Sequence, residues 1–254
     1  MEKKETINEI KCHMNSLTIS ELPYFLLEYQ TDQRSGVLRI LEQAQKRIAE
    51  YEKEDRRLEV LKKYEYQYET YGHICGIDEV GRGPFAGPVV AAAVILPKNT
   101  TLRDINDSKK LRAETRERLY DEIMEEAVSV GIGMASPQRI DEINILQATY
   151  EAMREAIAKL SVRPEVLLND AVTIPAVDIL QVPIIQGDAK SISIGAASII
   201  AKVTRDRLME DYDLIMPEYG FASHKGYGSK QHIEALKKYG PTPIHRRSFI
   251  GNYI

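Results

Sequence analysis

The chain has 254 residues, 43% of them hydrophobic and 28% charged, the make-up of an ordinary globular protein and not of a disordered or collagen-like one. At roughly 150 residues per domain this is one large domain, or one domain with an appendage. Lys and Arg total 34 against 38 Asp and Glu, a net charge of -4, so bulk charge points to no nucleic-acid partner and any such partner must show as a local patch.

The longest apolar run, Val89 to Leu96, is far short of the roughly 20 residues that span a bilayer, and no membrane association is expected. The charged opening MEKKETINEI lacks the apolar core of a secretory signal. Cys12 and Cys75 are the only cysteines, which is neither a disulfide framework nor a zinc ligand set. A reducing cytoplasm is the expected compartment. Cys75 lies in an apolar strand and reads as core rather than nucleophile.

In chain order, residues 1–71 read as a helical N-terminal extension. Ser35 to Tyr68 has no proline and dense charge. Leu38, Leu41, Ile48, Tyr51, Leu58 and Leu61 suggest an apolar stripe on that helix, with a coiled-coil or partner-binding arm as the alternative use. Residues 72–254 read as a second, α/β domain. HICGID and PVVAAAVIL are strands, separated by a Gly/Pro-rich loop. Arg112 to Val128 is a helix with Leu119, Ile123 and Ala127 on one face. VGIGMA is a strand. Ser136-Pro137 opens a helix, and Asn144 caps the next, to Lys159. PEVLLND and VPIIQGD are strands, SIGAASIIAKVTRDRLMEDY a helix, and Ser229 to Lys238 a short helix in the tail. The order implies helices packed on a mixed sheet.

Three of these strands end in acid: Asp78-Glu79, Asp170 and Asp188. Strand ends converge when the strands are neighbours. Clustered carboxylates raise one another's pKa, and hard divalent cations relieve that repulsion. A pair of such ions can activate water and stabilise the leaving oxygen of a phosphodiester. In Phe221–Ile254 six basic residues, Lys225, Lys230, Lys237, Lys238, Arg246 and Arg247, face the single acid Glu234. With Tyr227, Tyr239, His224 and His232 interleaved, this suits a groove tracking a nucleic-acid backbone. Lys202, Arg205 and Arg207 follow on a helix near Asp188. His232 and His245 are expected in phosphate contacts or packing, not in catalysis.

GIDEVGRGPFAGPVVAAAVIL resembles the signature of ribonuclease HII, the bacterial type 2 ribonuclease H. NDSKKL (Asn106–Leu111), EVLLNDA (Glu165–Ala171), GDAKSISIGAASIIAKVTRDR (Gly187–Arg207), HKGYGSKQH (His224–His232) and HRRSF (His245–Phe249) agree in order. The resemblance covers His73 to Phe249 and implies an RNase H-like mixed β-sheet flanked by helices, with a helical C-terminal part. It implies an Asp-Glu-Asp-Asp set that is both catalytic and metal-binding: Asp78, Glu79, Asp170 and Asp188. The implied cofactor is Mn²⁺ or Mg²⁺, two ions in the active complex. The implied substrates are the RNA strand of RNA–DNA hybrids and single ribonucleotides embedded in duplex DNA. Cutting is on the 5′ side of the ribonucleotide, leaving a 3′-hydroxyl and a 5′-phosphate.

Gly81, Arg82 and Gly83 match a loop that senses the 2′-hydroxyl, Tyr227 a ring that packs on the next sugar, and Lys109 and Lys110 phosphate contacts. A monomer is expected, and a sliding-clamp contact is not readable. Departures from the family pattern are Asn169 before Asp170, Ala171 where glycine is common, and Gly195 in place of alanine. Ribonuclease HIII, with Glu as its fourth acid and a β-rich N-terminal platform, is the nearest alternative. A non-cleaving hybrid-binding module is the other.

Overall fold

The computed structural model describes residues 5–253. Its contacts divide the chain into two units, Met1–Val60 and Leu61–Ile254.

In the first unit α1 (Ile7–Ser16) opens with a reciprocal cap: the Thr6 hydroxyl accepts from the Glu9 amide, and the Glu9 carboxylate accepts from the Thr6 amide at 2.7 Å. With α2 (Leu22–Tyr29) and α3 (Ser35–Leu61) it encloses a core that includes Ile10, Met14, Leu22, Phe25, Val37 and Ile40. Each such side chain contributes about 1.5–3 kcal/mol when fully buried. The stripe on α3 is shifted from the one the sequence suggests. Val37, Ile40, Leu41 and Ala44 face inward, while Leu38 and Tyr51 are exposed. Leu41, Leu58 and Leu61 are buried as expected. The unit thus carries a small core of its own.

α3 does not run on to Tyr68. Lys62 leaves the helical region (φ -84, ψ 3), and α4 (Lys63–Gln67) follows. α4 packs within the second unit, where Tyr64 and Tyr68 lie against Val166, Leu168 and Ile194. The contact division therefore falls before the change in composition near Tyr71.

Five strands form one sheet among the described residues: β1 (Ile74–Val80), β2 (Val89–Ile95), β3 (Ser129–Ala135), β4 (Val166–Asp170) and β5 (Leu180–Ile184), in the order β3-β2-β1-β4-β5. β1–β2 and β2–β3 are antiparallel; β1–β4 and β4–β5 are parallel. This is the mixed sheet the sequence implies. α5 (Ala113–Glu126), α6 (Pro137–Ala158), α7 (Ile192–Ile215), α8 (Phe221–His224), α9 (Lys230–Tyr239) and α10 (Arg247–Ile250) complete the unit. β2, VVAAAVI, is buried along its whole length, as a strand covered on both faces must be. Ser136 caps α6, and Asn144 (φ 68) breaks it, its Oδ1 accepting from the Leu146 and Gln147 amides at 3.0 and 3.1 Å.

The pleat decides where the acids go. Cys75, Ile77 and Leu167 belong to the core that includes Ala152 and Met153 of α6. Ile74, Val166 and Leu168 lie instead with Ile194 of α7. Gly76 pairs with Leu168 in register. Asp78 and Asp170, each two residues further on, therefore leave neighbouring strands on the α7 face. The first turn of α7 touches β1 backbone to backbone. A Cβ on Gly76 would lie 2.1 Å from the Ser193 carbonyl carbon, so only glycine fits there. Among the described residues no helix is long and apolar enough to cross a membrane.

Candidate active site

Asp78 and Glu79 end β1, and Asp170 ends β4. Asp188 arrives differently from the sequence expectation. β5 stops at Ile184, and Gln186, with left-handed φ 58, turns the chain into a single 3₁₀ turn, Gly187–Ala189, that carries Asp188 to the start of α7. The turn is fastened to β4, because Asp170 Oδ1 accepts from the Gly187 amide at 2.7 Å. Asn169 points to the opposite face. It is fully buried and donates to Val172 O at 3.1 Å and Gln181 Oε1 at 2.8 Å. Its place beside Asp170 is thus a brace for the loop after β4. Ala171 has φ 56, a conformation that costs a non-glycine residue roughly 1–2 kcal/mol. Gly195 permits a close approach: a Cβ there would be 2.8 Å from Ile105 Cγ2 and 3.2 Å from the Asp188 carbonyl oxygen.

The acids feel one another. Burial pushes Asp78 up, and Glu79 and Asp170 push it further, against hydrogen bonds from Ser198 and the Glu79 amide. Burial also raises Glu79; Arg82 and Lys109 oppose this and Asp170 adds to it. Asp188 is raised by burial, then by Asp107 and Asp170. A groove of about 370 Å³ opens over Asp78 and Glu79, walled by Ser108, Lys109, Ser198, Lys202 and Tyr227 among others.

These residues suit a hard divalent cation. The donors are all carboxylate oxygens, and their mutual repulsion is only partly offset by Arg82 and Lys109. Among the described residues no group of three or more His, Cys, Asp or Glu is drawn together closely enough to hold a metal ion. An open edge of carboxylates fits ions such as Mg²⁺, which keep waters and bind substrate phosphate.

The glycine loop lies beside this edge. Gly81 is buried with φ 89, while Arg82 and Gly83 are exposed. Arg82 Nη1 is 3.4 Å from Glu79 Oε1. The Tyr227 ring adjoins the loop, for a Cβ on Gly83 would lie 3.8 Å from Tyr227 Cε1. Lys109 walls the groove. Lys110 does not, and its Nζ lies 3.7 Å from Asp107 Oδ2.

Several basic residues expected on phosphates are spent inside the protein. Arg205 is fully buried and donates to the carbonyls of Pro88, Lys225 and Ala86 at 2.9, 2.9 and 3.0 Å. Arg246, also fully buried, donates to Gly81, Arg82 and Gly87 carbonyls. Arg207 pairs with Glu117, Lys225 with Glu210, and Lys202 with Asp206 while still reaching the groove. His232 and His245 are buried and bonded to each other, which leaves packing and excludes phosphate contact. Burial pushes the Cys75 thiol up, in keeping with a core residue.

Sequence reasoning misses Ser198, Ser108 and Arg116. Ser198 Oγ lies 2.9 Å from Ser108 Oγ, and Arg116 donates to the Ser108 and Leu111 carbonyls at 3.0 and 2.6 Å. The one signal is for Ser198, a hydroxyl inside the apolar run GAASIIA, where a buried polar group needs a partner.

The family described as Ribonuclease HII matches residues 75–252, and the family described as Ribonuclease HII N-terminal domain matches residues 6–69. A ribonuclease HII of Lachnoclostridium phytofermentans is 65% identical over 225 residues, 89% of this chain and 89% of that protein. The crystal structure of ribonuclease H2 from Pyrococcus horikoshii OT3 is similar with a TM-score of 0.59 and 30% identity, covering 70% of this chain and 93% of that one. RNase HII of Archaeoglobus fulgidus, solved in a complex with PCNA, gives 0.56 and 27%, covering 69% and 94%.

Proposed function

The chain belongs to the ribonuclease HII family, metal-dependent endoribonucleases, and from that premise we propose that it cuts RNA–DNA hybrids, and DNA duplexes at single ribonucleotides, through Asp78, Glu79, Asp170 and Asp188. The observation that carries this reading is the meeting of Asp78, Glu79 and Asp170 at the ends of paired strands, beside a groove walled by Lys109, Lys202 and Tyr227. The same four acids are the proposed metal ligands, for Mg²⁺ or Mn²⁺. Held there, a pair of such ions would supply activation of the attacking water and stabilisation of the leaving oxygen. The chain's own residues bind and orient. Lys109 and Lys202 draw the phosphate backbone into the groove. Arg246 occupies the Gly81 and Arg82 carbonyls, so the exposed Arg82–Gly83 end of the loop is left to contact the 2′-hydroxyl, which alone marks the ribonucleotide. The Tyr227 ring, 45% exposed, covers the following sugar, where an added hydroxyl would crowd it.

The proposed cut falls 5′ of the ribonucleotide and leaves a 3′-hydroxyl and a 5′-phosphate. The proposed setting is ribonucleotide removal from cytoplasmic DNA by a monomer, with a sliding clamp as a candidate partner. The test is the product pattern on a duplex carrying one ribonucleotide, compared with a strand made wholly of RNA. Tyr227→Ala should lower the relative rate on the single-ribonucleotide duplex about tenfold or more, the scale of a misplaced reacting group, and Tyr227→Phe should keep most of it. Binding without cutting, or a cut on the 3′ side, would overturn the reading.

We also propose that residues before Leu61 are accessory. A chain starting at Leu61 should fold and cut hybrid within a few-fold of the full rate. A chain starting at Gly72 loses Glu65, whose Oε1 accepts from Ser191 Oγ at 2.6 Å and from the Ser193 amide at 3.0 Å. That removes a cap from α7 together with the Tyr64 and Tyr68 packing, and should cost about 2–4 kcal/mol. Thermal melts of the two truncations check this, and equal stability would contradict it.

A further inference from the structure

The loop that carries Tyr227 is held from behind by two histidines whose protons can be placed. The Thr242 amide donates to His245 Nδ1 at 2.9 Å, so that nitrogen is an acceptor and the His245 proton sits on Nε2. The Tyr227 carbonyl accepts from His232 Nδ1 at 2.9 Å, so the His232 proton sits on Nδ1 and its Nε2 is free to accept. The two requirements meet where the Nε2 atoms lie 2.9 Å apart, with His245 donating to His232. One directional chain therefore runs from Thr242 through both rings to the Tyr227 carbonyl.

The pair is enclosed. His232 is 0% and His245 2% exposed, and burial pushes both down to about 4. His224 stacks on His232 at 4.6 Å, and Phe85, Phe221 and Tyr219 close the remaining sides. The titratable and charged groups facing the pair are His224, Tyr219 and Arg247. His224 is itself engaged, its Nε2 donating to the Tyr219 carbonyl at 2.8 Å and its Nδ1 accepting from the Gly226 amide at 3.2 Å.

The backbone just before Tyr227 needs such a hold. Lys225 and Gly226 both have left-handed φ, 51 and 85. A non-glycine residue keeps that conformation only where its surroundings over-determine it. The Tyr227 amide donates to the His224 carbonyl at 2.9 Å, and its carbonyl also accepts from the Ser229 amide at 2.8 Å. Arg205 holds the Lys225 carbonyl and His224 the Gly226 amide, and His232 adds a side-chain bond to the backbone of Tyr227 itself.

We propose that His232, backed by His245, is a positioning residue that sets the Tyr227 ring against Gly83 and thereby determines the preference for a ribonucleotide followed by DNA. The proposal rests on the reading of Tyr227 given above. His232→Phe keeps a ring for His224 and Phe221 to pack on and loses the donor. His232→Asn keeps a donor at the Nδ1 position. His245→Met leaves the bond to Tyr227 in place and strips its support.

The readout is the ratio of kcat/KM on a single-ribonucleotide duplex to that on an all-RNA hybrid, with circular dichroism melts of each variant. His232→Phe should lower the ratio about tenfold, His245→Met should lower it less, and His232→Asn should restore most of it. In a Tyr227→Ala background His232→Phe should change the ratio no further, because it acts through that ring. An unchanged ratio in folded His232→Phe, with a lowered one in Tyr227→Ala, overturns the relay and leaves the Tyr227 reading standing. Equal losses on both substrates that add to Tyr227→Ala overturn it in favour of plain stability. Should Tyr227→Ala itself leave the ratio unchanged, both readings fall together. Imidazole ¹⁵N spectra give an answer that does not pass through activity: any tautomers other than Nδ1–H for His232 and Nε2–H for His245 overturn the chain of bonds.

Discussion

Asp78→Asn should lower single-turnover cleavage of an RNA–DNA hybrid by about 10²–10³-fold or more, the scale of losing one preorganised electrostatic contact, while the fold survives. The substitution keeps a carbonyl oxygen for the hydrogen bonds from Ser198 and the Glu79 amide and removes only the charge. Stability without metal should rise. Asp78 is raised above its ordinary value by burial and by Glu79 and Asp170, so the folded state holds its proton more tightly than the unfolded state does. The resulting penalty is absent below the unfolded carboxylate value near 3.8, grows as pH rises, and is complete above the folded value. The melting temperature of Asp78→Asn should therefore exceed that of the parent at pH 7 in chelator, and the gap should close as pH falls. Added Mg²⁺ or Mn²⁺ should raise the parent's melting temperature more than the variant's, since a ligand stabilises only the state that binds it. Near-normal cleavage by Asp78→Asn would remove Asp78 from the site.

The acids are legible in the sequence because they end apolar runs, and a strand end is a place where side chains from different strands meet. That argument is topological, so it succeeds for Asp78 and Asp170 on paired strands and needs amendment for Asp188. A left-handed Gln186 leaves no mark in composition, so the apolar run reads as a strand four residues too long. The stripe on α3 fails for a related reason. Two apolar faces are available on that helix, and only the partners in α1 and α2 select Val37 and Ile40 over Leu38. Asn169 reads as a departure from pattern because sequence does not say which face of a strand a residue occupies until the neighbours are known.

Charge is the least legible property. The tail's excess of basic residues suggests a phosphate-binding surface, yet Arg246 and Lys225 are engaged within the protein, and so is Arg205 on α7. An arginine aimed at backbone carbonyls more than 100 residues away has the same local sequence as one aimed at phosphate. Only the fold distinguishes them, by burying the guanidinium. What remains exposed near the acids is Arg82 and Lys109, with Lys202 partly so, and none of the three lies in the tail.

Arg246→Met should destabilise the fold more than Asp78→Asn, Tyr227→Ala or His232→Phe does. Arg246 donates to Gly87 O from Nε at 3.0 Å and from Nη2 at 2.8 Å, to Arg82 O at 2.8 Å and to Gly81 O at 2.5 Å. Burial and the adjacent Arg205 push its guanidinium below the ordinary arginine value, yet each of these carbonyls offers it partial negative charge. Methionine fills much of the volume but orphans three backbone carbonyls. At about 1–3 kcal/mol for each unsatisfied buried group, less what water recovers by entering, a loss of about 3–5 kcal/mol is expected. Arg246→Lys should recover little, because a single ammonium cannot reproduce the planar fork that reaches three acceptors. The two variants also separate folding from function. The carbonyls concerned belong to the loop proposed to read the 2′-hydroxyl, so a folded Arg246→Lys at low temperature should retain cleavage of an all-RNA hybrid better than cleavage at a single ribonucleotide. Urea unfolding of both variants, with cleavage of the two substrates measured well below the melting temperature, checks both halves. If Arg246→Met loses less than about 1 kcal/mol, the scale of one ordinary hydrogen bond, the guanidinium is not what holds the loop.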